Sequence, residues 1–311
     1  MLNADQLAVL PVAQWIQGGV EWIAQNFRPL FSTIKWPVEQ LLNFIDGVFH
    51  ATPFPVMVVM TFLFFWRLAS LRVALFSFVV YLSIAMLGVW SEAMTTLSLI
   101  TTAILFCAVI GIPIGIWCAQ SQRAWMVVRP LLDIMQTTPT FVYLVPVVML
   151  FGVGNVPGEV AVVTAAMPPL IRFTQLGISM VEPEIVEAGQ SFGANKWQLL
   201  WEVQLPLAMP TILGGLNQTV LTAMVMSVVI SMIGAEGLGL LVLQGIGRLD
   251  VGGAAIGGIA IVLLAMMLDR FSQELGKTRP KKHMTFCAVL KRCFRGESVI
   301  SQTSGEKLKQ L

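Results

Sequence analysis

Charge is what this chain has least of. Only 12% of its 311 residues are Asp, Glu, Lys or Arg, and 56% are hydrophobic, whereas a soluble domain carries about 25% charged residues. That balance excludes an ordinary soluble domain. Histidine is nearly absent, and His50 and His283 stand apart from any cysteine or carboxylate cluster, which argues against a catalytic metal centre. Four cysteines form no framework: Cys107 and Cys118 belong to one apolar segment, Cys287 and Cys293 to the polar tail, and all are expected to be reduced and structural. No G-x-x-x-x-G-K-[ST] loop occurs, so ATP is not bound by that route. A G-x-S-x-G elbow is missing too. Residues 1–14 lack the basic start and apolar core of a cleavable signal peptide. There is no strong internal repeat, which weighs against secondary carriers built on inverted repeats.

What is present is apolar length. Runs of about 18 or more uncharged residues are transmembrane helix candidates. Segments 73–91, 94–120, 207–235 and 251–268 contain no charge, 131–158 is interrupted only by Asp133, and 160–180 only by Arg172. Segment 54–66 is short and reaches full length if Arg67 snorkels to the headgroups. Irregular backbone cannot cross hydrocarbon with unpaired polar groups, so these segments predict an all-α polytopic membrane protein of about seven transmembrane helices. Lys and Arg placement sets orientation. Arg67 and Arg72, then Arg123 and Arg129, then Lys196, then the basic tail fall in alternate loops, and the opposite set carries Glu92, Glu159 and only Arg248. The C-terminus is therefore expected in the cytoplasm and the N-terminus outside.

Three regions follow. Residues 1–51 carry Trp15, Val20, Trp22, Ile23, Phe27, Leu30 and Phe31 at helical spacing, and Leu41, Leu42, Ile45, Val48 and Phe49 repeat the pattern after Pro37. This predicts an extracytoplasmic amphipathic region lying in the membrane interface, a reading favoured over a cation–π cage of Trp15, Trp22 and Trp36. Residues 52–275 form the transmembrane domain. Residues 276–311 form a basic cytoplasmic tail with Lys277, Arg279, Lys281, Lys282, Lys291, Arg292 and Arg295. The tail suits anionic membrane lipid, and nothing in the chain points to nucleic acid. Residues 284–290 are expected to form at most one short amphipathic turn.

Breakers and polar residues mark the interior. Gly111, Pro113 and Gly115 are expected to bend the third span, Pro139 and Pro146 the fourth, and Pro168–Pro169 to break the fifth. Irregular backbone at membrane depth is tolerated only against protein or a water-filled cavity, so these spans should surround a path. Gln136, Thr137, Thr138 and Tyr143 in the fourth span and Asn217, Gln218, Thr219, Thr222, Ser227 and Ser231 in the sixth make up a polar seam. Asn217, Val220 or Leu221, Met224 and Ser227 or Val228 share one helical face. Such groups either bond helices together or line a path, and both readings stay open. Asp133 and Arg172 fit an ion pair or snorkelling as well as a relay. The Asn217-Gln-Thr219 sequon lies within a span and carries no meaning for glycosylation.

One segment breaks the apolar pattern. Residues 181–206 hold Glu182, Glu184, Glu187, Lys196 and Glu202 between two spans. Glu187 opens a short helix, Gly193 permits a turn, 197–203 give a second helix, and Leu205-Pro206 ends it, since proline disfavours helix in the residue before it. A helix–turn–helix on the cytoplasmic side fits a groove in a soluble partner.

Glu187-Ala188-Gly189, three residues, Gly193, nine residues, then Val203-x-Leu205-Pro206 resembles the "EAA" loop of permease subunits of bacterial ABC importers. Gly189 stands for the family's third-position Ala, and Val203 for its Ile. The stretches 129–139, 141–146, 151–157, 204–210, 217–219 and 245–250 look like the glycine betaine/proline subgroup, and the resemblance spans about residues 10–275. It implies a type I ABC importer permease-like bundle in a bacterial inner membrane, working as a homodimer. An ABC ATPase subunit carrying ATP and Mg and an extracytoplasmic substrate-binding protein are the implied partners. On the same basis the coupling surface would be Glu187, Ala188, Gly189, Gly193, Ala194, Trp197, Leu205 and Pro206. The path would involve Gln136, Thr137, Thr138, Tyr143, Asn217, Gln218 and Thr219, and the solute would be glycine betaine, proline or a related quaternary amine. No catalytic residue, metal or cofactor is expected in the chain itself. The competing classes are an ion-coupled secondary transporter of a small zwitterion, a channel and a multipass membrane enzyme.

Overall fold

The structure, a computed structural model, describes residues 12–276; the basic tail and the 284–290 turn lie outside the described residues. No strand occurs among those residues. The helices are α1 (Val12–Asn26), α2 (Arg28–Ala51), α3 (Phe54–Leu68), α4 (Leu71–Met86), α5 (Trp90–Phe106), α6 (Ile112–Gln120), α7 (Gln122–Thr137), α8 (Thr140–Phe151), α9 (Asn155–Ser179), α10 (Pro183–Ser191), α11 (Lys196–Gln198), α12 (Leu205–Val229), α13 (Leu238–Gly247) and α14 (Val251–Gly276).

Four continuous helices are long and apolar enough to cross a membrane: Trp90–Gln120, Asn155–Ser179, Lys196–Ile233 and Val251–Gly276. Two bent pairs, α2 with α3 and α7 with α8, raise the number to six if each pair is one span. Helix α4 is a shorter apolar helix of 16 residues. It stops at Met86 because Gly88 takes a left-handed turn (φ +74°), and Trp90 and Ser91 open α5 instead of closing the expected 73–91 span. Helix α13 is a further short apolar helix in what the sequence reading left as loop.

Of the expected breakers Pro139 acts as expected, whereas Pro146 lies inside α8 and the others leave their helices continuous. Around Pro113 the chain stays one helix from Trp90 to Gln120, with a π turn over Cys107–Gly111 just before the proline. Pro168 and Pro169 were expected to break the fifth span, yet α9 runs through both. They are buried, and neighbouring helices tolerate such residues where they cover the freed carbonyls. Pro37 likewise sits inside α2. The strong break comes at Pro139: Thr138 is extended (φ −69°, ψ 126°), as a residue before proline prefers, and α7 and α8 meet at 101°.

The core is the antiparallel pair α9 and α12. Glycines bring it close: a Cβ on Gly215 would stand 2.5 Å from Phe173 Cβ, and one on Gly177 3.0 Å from Thr211 Cβ. At one end of this pair the loop 230–238 is tied down by Gly154 N–H to the Ile233 carbonyl at 3.1 Å, Glu236 N–H to Asn155 Oδ1 at 2.7 Å and Leu238 N–H to Thr96 Oγ1 at 2.8 Å. The other end carries α10 and α11. Glu159, placed by the sequence reading in a loop, is fully buried in the first turns of α9, and neither carboxylate oxygen finds a donor among the described residues. The turn is made earlier, by Gly152 (φ +92°) and Gly154 (φ +123°). Helix α2 packs on α5 with Ser98 Oγ donating to Asp46 Oδ1 at 2.8 Å.

Candidate functional site

The charged segment folds as two short helices joined at a glycine. Helix α10 starts with Pro183 in its first turn and Glu184 beside the helix N-terminus, where a negative side chain opposes the positive end of the helix dipole. It ends at Gly193, whose φ of +86° suits a residue without Cβ. Gly193 N–H donates to the Gln190 carbonyl at 2.9 Å and Ala194 N–H to the Gly189 carbonyl at 3.1 Å, satisfying carbonyls left over at the helix end. Asn195 then starts the second helix with a reciprocal cap. Its Oδ1 accepts from Gln198 N–H at 2.9 Å, and Gln198 Oε1 accepts from Asn195 N–H at 2.9 Å, a capping box in the sense of mutually satisfied termini.

The two helices lean on each other at Gly189. A Cβ there would stand 2.6 Å from Leu199 Cδ2, so glycine in place of the family's alanine permits a closer approach. Leu199 and Leu200 are buried, whereas Phe192 is 92% exposed and Trp197 and Trp201 are exposed beside it. Glu187 and Ala188 are exposed, Gly189 and Ala194 half-buried, and Leu205 buried at the root of the loop. Pro206 does not end the second helix. The chain passes through a π turn, Leu199–Gln204, directly into α12, giving one helical rod from Lys196 to Ile233. The sequence reading missed Phe192 as the most exposed large side chain of the loop; an aromatic residue beside a hinge glycine was its signal.

A second feature lies at the 101° break. A cavity of about 280 Å³ is lined by Met135, Gln136 and Thr138 at the end of α7, Thr140 and Tyr143 in α8, Ala165 and Pro169 in α9, and Gln218, Thr222, Val225 and Met226 in α12. None of these residues is charged. Thr138 Oγ1 donates to the Ile134 carbonyl at 2.7 Å, and Thr222 Oγ1 to the Gln218 carbonyl at 2.9 Å. Tyr143 reaches across to α12, its hydroxyl donating to Met226 Sδ at 3.9 Å. Pro169 has no N–H to give the Ala165 carbonyl.

The structure thus brings Gln136, Thr138, Tyr143, Gln218 and Thr222 together and turns Thr137, Asn217 and Thr219 elsewhere. Thr137 Oγ1 donates to the Asp133 carbonyl at 2.9 Å. Asn217 accepts from Ser272 Oγ of α14. Thr219 is fully buried, its hydroxyl on the Gly215 carbonyl at 3.0 Å. Val220, Met224 and Ser227, on the face assigned with Asn217, are buried in packing; the cavity face is one position over, Gln218–Thr222–Met226. Asp133 and Arg172 form an ion pair between α7 and α9, one turn beyond the cavity along each helix. No group of three or more potential metal ligands exists among the described residues.

Residues 111–277 match the family described as Binding-protein-dependent transport system inner membrane component. The chain is 49% identical over 277 residues to the Glycine betaine/proline betaine transport system permease protein ProW of Escherichia coli (strain K12), covering 89% of this chain and 78% of that protein. Over 275 residues it is 42% identical to the Glycine betaine/carnitine transport permease protein GbuB of Listeria monocytogenes serotype 1/2a (strain 10403S), covering 87% and 97%. A solved chain of the MetNI methionine ABC transporter in an inward-facing conformation superposes with a TM-score of 0.57 at 21% identity, covering 63% of this chain and 98% of that one. This last likeness concerns the fold. Helices that span a bilayer, a charged helix–turn–helix between two of them, and relatives of this identity along most of the sequence lead to one conclusion: the chain belongs to the inner membrane components of binding-protein-dependent transport systems.

Proposed function

We propose that this chain is the permease subunit of an ATP-driven importer of compatible solutes, glycine betaine or a related zwitterion, and that it is a transport subunit with no catalytic residue of its own. Two copies pair in the membrane, each docks a separate ATPase that holds ATP and Mg, and an extracytoplasmic binding protein delivers the solute. The observation that carries the reading is the folded 181–206 segment, which presents Phe192, Trp197 and Trp201 from a rigid, capped scaffold. An apolar knob on short helices is a shape that enters a partner's groove. The named relatives support the solute class.

In this reading residues 1–51 lie on the outer face, 52–275 span the bilayer, and 276–311 form the cytoplasmic tail against anionic lipid. The loop faces the cytoplasm, as the distribution of Lys and Arg supports. The cavity at the α7–α8 break is the solute path. It stands at mid-height of α9 and α12, where broken helices of transporters place their sites, and its neutral amides and hydroxyls suit a solute without net charge. Closure of the ATPase pair moves the docked loops and changes which side the cavity faces. A ligand shifts such an equilibrium only through its different affinity for the two states.

The test is uptake of radiolabelled glycine betaine into proteoliposomes holding this chain, its ATPase and its binding protein. Gly193→Asp, which puts a side chain where φ is +86°, and Glu187→Lys should each abolish ATP-driven uptake and leave membrane insertion intact. Normal uptake by both variants would sink the assignment of the loop. Uptake that persists without ATP and collapses with an ionophore would sink the ATP-driven reading as a whole.

A further inference from the structure

Among the hydroxyls of the cavity, that of Tyr143 is placed differently from those of Thr138 and Thr222, and Thr140 lines the space at the start of α8. Thr138 and Thr222 turn theirs back onto carbonyls of their own helices, the usual habit of threonine in membrane helices. Tyr143 alone crosses the space between α8 and α12, and what it meets is the thioether of Met226 at 3.9 Å. A thioether is a weak acceptor, so this phenol O–H is held in place with little energy. The side chains of Gln136 and Gln218 line the same cavity without a hydrogen-bond partner among the described residues. No Lys, Arg, Asp or Glu is there to compete for the phenol.

A carboxylate entering this space would be the strongest acceptor Tyr143 could find. Charge-assisted O–H···O⁻ bonds are shorter and roughly twice as strong as neutral ones, and they strengthen away from water. Met226 is suited to the complementary task, because an unbranched, polarizable side chain can give way and return. It is buried and sits one turn beyond Thr222 on the cavity face of α12.

We propose that Tyr143 is the carboxylate-recognising residue of the path, its hydroxyl passing from Met226 Sδ to the solute's carboxylate as the solute enters and returning to Met226 as it leaves. No covalent bond forms or breaks; one hydrogen bond is exchanged for another. The inference rests on the reading of the cavity as the solute path, and it adds the group of the solute that is read and the residue that reads it. The solutes served are those with a carboxylate, and an alcohol of the same size offers only a neutral, weaker acceptor to the phenol.

The experiment uses the complete importer in proteoliposomes and records two rates, uptake of radiolabelled glycine betaine and ATP hydrolysis stimulated by the loaded binding protein. Tyr143→Phe should lower uptake about tenfold, the scale of one hydrogen bond to a charged group, and leave stimulated hydrolysis near its original rate, so that ATP consumed per solute rises about tenfold. Met226→Gln places a strong acceptor opposite the phenol. It should lower uptake severalfold alone and add nothing in the Tyr143→Phe background, where there is no hydroxyl to hold. Thr222→Trp fills the cavity and should block uptake. If Thr222→Trp blocks while Tyr143→Phe transports normally, the role of Tyr143 is overturned and the path reading stands. If Thr222→Trp transports normally, the path reading falls and the proposal with it. Equal loss of uptake and hydrolysis in Tyr143→Phe, or additive effects with Met226→Gln, would assign Tyr143 a structural role and overturn the exchange.

Discussion

The pair α9–α12 and the pair α7–α8 are built from similar apolar residues, and they behave as opposites. In α9–α12, small residues let backbones approach, and two consecutive buried prolines sit inside a continuous helix, Pro169 with one side on the cavity. In α7–α8 a single proline turns the chain by 101°, and Met126, Val127, Leu131, Ile134, Phe141, Val142 and Val145 stand exposed along it. Burial alone does not decide proline's effect, since Pro130 and Pro146 lie inside α7 and α8 without breaking them. Within this pair the chain turns at Pro139, where the preceding Thr138 takes the extended conformation. The cavity lies between the two, with one wall from the rigid pair and one from the bent pair.

Several substitutions would break this contrast. The largest effect is expected within the rigid core. Gly215→Leu forces a side chain into Phe173, and Gly239→Val would place its Cβ 2.3 Å from the Ser227 carbonyl oxygen. Each should cost about 3 kcal/mol or more by overpacking, read as loss of monodisperse protein in detergent. Recovery of normal yields would mean that the close approach is not needed.

Next comes the bend. Pro139→Ala restores an N–H and removes the restriction on Thr138, in a place where proline disfavours helix by about 3 kcal/mol relative to alanine. Uptake should fall about tenfold as α7 and α8 gain access to a straighter form, and an unchanged initial rate would show that the bend is imposed by packing. A smaller change is expected from Arg172→Gln, which removes the ion pair holding α7 against α9. Both partners are substantially exposed, so the loss should be about 1 kcal/mol at most, seen as a slight drop in thermal midpoint. A drop as large as that of Gly215→Leu would move the pair into the core. The smallest effect should run the other way. Glu159→Leu replaces a buried carboxyl without a donor and should stabilise by about 1 kcal/mol. A destabilised Glu159→Leu protein would mean that the carboxyl has a partner in the assembled transporter.

The sequence made the helical segments visible because lack of charge over such lengths has few other meanings. It also made the loop visible, since Gly193 marks its turn by backbone chemistry. The first helix, however, opens at Pro183 and not at Glu187, and Leu205-Pro206 continues the second helix where it was expected to end it. Rotation about the helix axis was harder. Asn217, Gln218 and Thr219 are consecutive, and successive residues on a helix point about 100° apart. Three adjacent polar side chains therefore go to α14, to the cavity and back to their own backbone. Composition finds such a cluster, but only the neighbours decide which member faces the cavity. Glu159 was misplaced for a related reason. A carboxylate between two apolar runs reads as a loop, and the turn-making Gly152 and Gly154 just before it were the better signal.

The rod from Lys196 to Ile233 has a mechanical consequence. It carries Trp197 and Trp201 near one end and Gln218, Thr222 and Met226 further along, with only a π turn and no joint between them. At about 1.5 Å per residue, its 38 residues form a beam roughly 55 Å long. Tilting such a beam by about 5° carries one tip roughly 5 Å relative to the other, by that length alone. That displacement is on the scale of the 3.9 Å between the Tyr143 hydroxyl and Met226 Sδ. A small angular error in seating the loop would therefore be felt as a gate left ajar.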